Sequence, residues 1–170
     1  MRRIPYVVSA VLLSMSGCTS KHHDTELPQF PDTTPPASVT PPSCGTTQAK
    51  FGIAPAWTVG RGVDHPSAYV VSANGDAVGF YFADSLRTGR HDGSNNKILW
   101  IIRTPTADKP LMIDAHPVGA PTPVVHHEEP GIGAGDYPTI IDEPTAGCWH
   151  LDLSWNGYKD SVELPYLPPQ

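Results

Sequence analysis

Histidine, cysteine and acidic side chains cluster at a few places in this chain, and each cluster suggests a different chemistry. The densest is His126-His127-Glu128-Glu129, with His91-Asp92 further back. Imidazole and carboxylate groups are ligands for borderline divalent metals. Neighbouring residues of an extended chain point to opposite sides, so such a run offers few donors to any single ion. His126, His127, Glu128 and His91 come nearest to a metal set, yet they read as solvated loop residues, and no metal or cofactor is expected. His22-His23-Asp24 reads the same way, as polar residues in a solvated segment.

Cys148-Trp149-His150 puts a thiol and an imidazole on one strand. A blue-copper centre needs cysteine, histidine and a weak axial methionine. The last methionine here is Met112, and both donors project from the same strand instead of a ligand loop. His150 and Asp152 share a face and can form an acid/base pair, but Ser154 beside them is not presented by a nucleophile elbow. Gly-x-Ser-x-Gly, His-Glu-x-x-His and the phosphate-binding loop are missing from the sequence. Gly131-Ile132-Gly133-Ala134-Gly135 lacks the preceding strand and following helix that a dinucleotide site requires. No catalytic residue is assigned.

The elements that must carry these groups are strands. Twenty prolines and 15 glycines in 170 residues suit a turn-rich all-β domain. The net charge of -6 leaves no basic footprint for nucleic acid. The clearest element is a hairpin closed by Asn156-Gly157. Its first strand alternates with period 2: Trp149, Leu151, Leu153 and Trp155 share one face, and Cys148, His150, Asp152 and Ser154 share the other. Tyr158, Val162 and Leu164 continue the apolar face of the return strand, while Lys159, Ser161 and Glu163 face water. A one-residue slip would bury His150 and Asp152 and expose both tryptophans. Trp57, Trp100, Trp149 and Trp155 can stack sugars, but the two in the hairpin belong to the core.

Upstream, strands are expected at 51–59 (bent at Pro55), at 67–72 and 77–82 around an Asn74-Gly75 turn, and at 97–103, the most apolar and therefore central. Further strands are expected at 111–115 and 139–141. Residues 83–96 read as a loop with one helical turn near 84–87, and 116–138 as a second loop. About seven short strands with one-sided alternation predict a two-sheet antiparallel sandwich.

The first residues are Arg2-Arg3, then an apolar stretch from Ile4 to Met15, then Ser16-Gly17-Cys18. This resembles the bacterial lipobox, with Met15 standing where leucine is usual. The resemblance implies a signal peptide over 1–17, lipidation of Cys18 and a domain held outside the cytoplasm at a bacterial membrane. Residues 18–43 are rich in proline and threonine and read as a disordered tether, leaving 44–170 as the folded domain. The late Gly147-Cys148-Trp149-x-Leu-x-Leu strand, together with Lys97-Ile98-Leu99-Trp100, is similar to immunoglobulin-like domains of bacterial surface lipoproteins. That similarity implies an immunoglobulin-like sandwich and carries no catalytic residue.

With Cys18 lipidated, Cys44 and Cys148 are an even pair in an exported domain and are expected to form a disulfide. Because alternation turns Cys148 outward, the bond should pin Cys44 against the outside or edge of the sheet. The functional expectation is a lipid-anchored envelope module that binds an envelope protein or glycan, or assists one, without catalysis. Two alternatives stay open. One is a small extracytoplasmic enzyme or enzyme inhibitor with its site in loops 83–96 and 116–138. The other is a structural spacer.

Overall fold

The computed structural model describes residues 44–45, 47–61 and 65–169. The expected signal peptide, Cys18 and the tether lie outside the described residues. Among the described residues the fold is all-β, with ten strands in two sheets. Among the described residues, helical geometry is confined to a single 3-10 turn, Ala56–Thr58, and no helix is long and apolar enough to cross a membrane.

The strands in chain order are β1 (Lys50–Gly52), β2 (Ser67–Val71), β3 (Ala77–Tyr81), β4 (Leu86–Arg87) and β5 (Lys97–Ile102). They continue as β6 (Leu111–Pro117), β7 (Val125–Glu129), β8 (Asp136–Ile140), β9 (Gly147–Trp155) and β10 (Tyr158–Leu167). The first sheet has the order β1-β2-β3-β5-β8 and the second β4-β10-β9-β6-β7. Every pairing is antiparallel except that of β4 with β10, which is parallel.

The β9–β10 hairpin forms where the sequence predicts it. Asn156 and Gly157 both take positive φ, 43° and 83°, the geometry of the primed turns that match strand twist. Trp149, Leu151, Leu153 and Trp155 are all buried, and so are Val162 and Leu164. They join Val70, Ile98, Trp100 and Ile102 of the first sheet and Leu111 and Ile113 of β6 in one core shared by the two sheets. At Gly79, opposite Trp100 in the ladder, a Cβ would come within 2.7 Å of the indole. Only glycine lets that large ring lie over its neighbouring strand.

One polar group also points inward from β10. Asp160 is 6% exposed, and its carboxylate accepts from the Ser72 hydroxyl at 2.5 Å and from the amides of Asn74 and Asp76 at 2.9 and 3.2 Å. It ties the β2–β3 turn of one sheet to the closing hairpin of the other. A buried carboxylate is tolerated there because its acceptor sites are filled.

Several expectations change. The described residues hold ten strands where about seven are expected, and the extra ones lie in segments that read as loops. The 51–59 strand stops at Gly52 and becomes the 3-10 turn. The helical turn near 84–87 is instead the edge strand β4. The 116–138 loop contains β7 and the start of β8, and β6 runs on to Pro117. Edge strands bury less than central ones, so their apolar alternation is faint. Tyr158 was placed on the apolar face but sits at the hairpin end, 39% exposed.

Candidate functional site

The outer face of the second sheet carries a ladder of titratable side chains built by strand register. On β6, burial alternates so that Leu111, Ile113 and Ala115 face the core, while Met112 and Asp114 face out. On β9 the outward set is Cys148, His150, Asp152 and Ser154. Pairing of β6 with β9 sets His116 beside His150 and Asp114 beside Asp152. On the flanking strands, β7 adds His126 next to Asp114, and β10 adds Glu163 next to His150.

The contacts follow from these rows. The rings of His116 and His150 stack with centroids 5.1 Å apart and an interplanar angle of 27°. Both Nε2 atoms face the Asp152 carboxylate, His150 at 3.4 Å from Oδ1 and His116 at 4.0 Å from Oδ2. One ligand atom from each of the three residues lies within 4.8 Å of the others. His116 Nδ1 donates to the Pro117 carbonyl at 3.1 Å, and His150 Nδ1 lies 3.6 Å from Glu163 Oε1. Asp114 and Asp152 are directly opposed like charges, which destabilise a ladder. Each has imidazole beside it: His126 reaches Asp114 at 2.7 Å, and His116 and His150 flank Asp152.

The disulfide borders this ladder. Cys44 and Cys148 are bonded, with Cα atoms 5.4 Å apart, and Cys148 is two residues from His150 on the same outward face. The Cys44–Thr47 turn that it holds covers Glu163. A Cβ on Gly45, which has φ of 52°, would fall 1.6 Å from Glu163 Oε2, and the Glu163 amide donates to Thr47 Oγ1 at 3.1 Å. The expected bond is therefore present, and it anchors the start of the domain to the outer side of β9. A bond of this kind fits an oxidising, extracytoplasmic compartment.

The four residues nearest to a metal set in sequence do not come together. His126 and Glu128 point outward from β7 and His127 inward. Burial lowers the His127 pKa below the usual imidazole value. His91 is exposed in the β4–β5 connection. Loops 83–96 and 116–138, offered as one site, instead contribute β4 and β7, which form opposite edges of the second sheet. His116 is the member that sequence reading missed, because the strand was ended at Ala115. The available signal was the order Asp114-x-His116 against His150-x-Asp152. Antiparallel pairing of those two segments stacks like with like.

Two other features stand apart. Glu143 is only 2% exposed, and neither carboxylate oxygen has a partner. Burial, with the nearby Asp142 charge, pushes its pKa up to about 7. Burial also raises the Tyr81 and Tyr166 phenols. On the first sheet, the outer face is apolar: Tyr69, Val78, Phe80, Leu99 and Ile101 form a second cluster covered by Ala54 and Trp57. Beside that cover lies a groove of ≈ 390 Å³ bordered by Ile53, Val59, Pro66 and Phe80.

Comparison with protein-family models, with curated proteins and with solved structures gives no match for this chain.

Proposed function

We propose that this chain is a lipid-anchored binding or accessory module of the bacterial envelope, carried on an immunoglobulin-like sandwich. One observation carries the reading. The Cys44–Cys148 bond uses two of the three cysteines and leaves Cys18, the one that stands at the lipobox spacing. A disulfide belongs to an exported domain, and acylation of the remaining cysteine holds such a domain at a membrane. Two core-sharing sheets with a late Trp-x-Leu-x-Leu strand, β9, support the immunoglobulin-like reading of the architecture.

The test is expression of the full chain in a bacterium fed labelled palmitate. Label in the membrane fraction, lost together with membrane retention in Cys18→Ala, is the expected result. An unlabelled or wholly released wild-type chain overturns the anchor. Affinity capture of the full chain from envelope extract and on glycan arrays then separates a binding module from a spacer: a saturable partner supports the former, and none supports the latter.

A further inference from the structure

We infer that His116, His150 and Asp152 form a binding site for one borderline divalent transition-metal ion of the Zn²⁺ class, with a fourth position open to solvent. This site is independent of the lipid anchor and of the envelope reading.

The first argument is donor type and placement. Two imidazole nitrogens and one carboxylate oxygen are a donor set that selects zinc and its neighbours over the hard ions Mg²⁺ and Ca²⁺, which prefer all-oxygen shells. A tetrahedral shell with bonds of about 2.0–2.1 Å has its donor atoms roughly 3.3–3.4 Å apart. His150 Nε2 and Asp152 Oδ1 are already 3.4 Å apart, and His116 Nε2 and Asp152 Oδ2 are 4.0 Å apart. Small side-chain rotations, with no backbone change, close the set. The backbone is fixed by the strand ladders: β9 is paired on both sides, and β6 is paired with β9 as far as Pro117 and with β7 as far as Ala115.

The second argument is the state of the other ring nitrogens. A carbonyl accepts and cannot donate, so the 3.1 Å bond to Pro117 O places the proton of neutral His116 on Nδ1. The lone pair is then on Nε2, aimed toward the Asp152 carboxylate. For His150 no hydrogen bond fixes the tautomer: Glu163 Oε1 lies 3.6 Å from its Nδ1, beyond hydrogen-bond length, and Asp152 Oδ1 lies 3.4 Å from its Nε2. Metal-bound histidines usually donate their second nitrogen to a carbonyl or carboxylate, which fixes the tautomer and raises basicity. Here a carbonyl accepts from His116, and a carboxylate stands near His150 without a hydrogen bond to it. A lone pair facing a carboxylate repels it until the imidazole takes a proton or a metal ion stands between them.

The third argument is access. Asp152 has a side-chain exposure of 62% and the two histidines 26% and 29%, so an ion can enter from solvent and retain an exchangeable donor. Glu163 would act as a positioning residue behind His150; its amide donates to Thr47 Oγ1 at 3.1 Å, beside the disulfide.

The experiment is calorimetric titration of Zn²⁺ into the full, oxidised chain, with Co²⁺ as a spectroscopic probe. One equivalent bound, with the visible absorption of Co²⁺ in a low-symmetry N/O shell, is expected. His116→Ala, His150→Ala and Asp152→Asn should each weaken binding at least about tenfold, and Glu163→Gln by about ten- to a hundredfold or less, the range for outer partners. His126→Ala, outside the three, should bind as wild type does. His116→Gln keeps a polar group at the same place and serves if the alanine variant does not fold. Absence of a stoichiometric site at 100 µM free Zn²⁺ on the order of laboratory titrations overturns the inference. So does binding that survives in the folded His116→Gln/His150→Gln double variant.

Discussion

The outer faces of the two sheets are built from the same element and come out opposite in character. In the first sheet, β3 and β5 are buried on both sides: Val78, Phe80, Leu99 and Ile101 point outward yet are covered by the Ala54–Trp57 segment. In the second sheet, β6 and β9 alternate strictly, and the outward positions hold Asp114, His116, His150 and Asp152. A strand that is apolar on both sides requires a third layer, whereas a strand that alternates leaves a face free to carry chemistry. The difference explains why Lys97–Ile102 reads as a continuous apolar run while Gly147–Trp155 reads as a hairpin strand. It also puts the functional candidates on the face whose outward residues stay partly or fully exposed.

The contrast breaks most severely if a charge is placed on the covered face. Ile101→Lys buries an ammonium group where Ile101 is fully buried, and a cost above about 4 kcal/mol is expected. Ser154→Lys, outward from β9, should stay within about 0.5 kcal/mol of wild type; urea unfolding of both variants measures the gap. Next in size is the disulfide. Its bridged residues are 104 apart in sequence, so replacing both cysteines by alanine should lower stability by roughly 2–4 kcal/mol in urea titrations. Truncating the cover, Trp57→Ala, should lower stability by about 2 kcal/mol through apolar surface returned to water. It should also raise binding of an apolar fluorescent dye, with no such rise in His126→Ala on the other sheet.

A subtler test uses Glu143, which is polar but buried beside the core. Its folded-state pKa of about 7 lies above the ordinary 4.5, so the folded protein holds this proton more tightly than the unfolded chain does. The contribution to stability is fully present below pH 4.5 and is lost as pH rises through about 7. One unit corresponds to about 1.4 kcal/mol, which bounds the loss at a few kcal/mol. Glu143→Gln stays neutral throughout, so its melting temperature should fall less than that of wild type between pH 5 and 8 by scanning calorimetry, a window set by the two values.

Legibility followed burial. The hairpin was readable because Trp149, Leu151, Leu153 and Trp155 alternate against polar neighbours and Asn156-Gly157 supplies the turn. The cysteine pair was readable because three cysteines, with Cys18 expected to be lipidated, leave two. The edge strands were not: Leu86–Arg87 is too short to show a period, and Val125–Glu129 spells Val-His-His-Glu-Glu, which has no apolar alternation. The candidate site was half readable. His150 and Asp152 were placed on one face, but His116 lay just past the predicted end of its strand.

Local pattern alone determined which side of β9 each residue occupies, since a period of 2 leaves no freedom once one face must be buried. That is why Cys148, His150 and Asp152 face outward. Tertiary structure decided what they meet there. Asp114 and His116 are separated from β9 by the whole β7–β8 excursion, and their register against Asp152 and His150 is set by the core fit of Leu111, Ile113 and Ala115 over the first sheet. Such a contact costs loop-closure entropy and is specified by packing, so the mirrored order Asp114-x-His116 and His150-x-Asp152 permits it without selecting it.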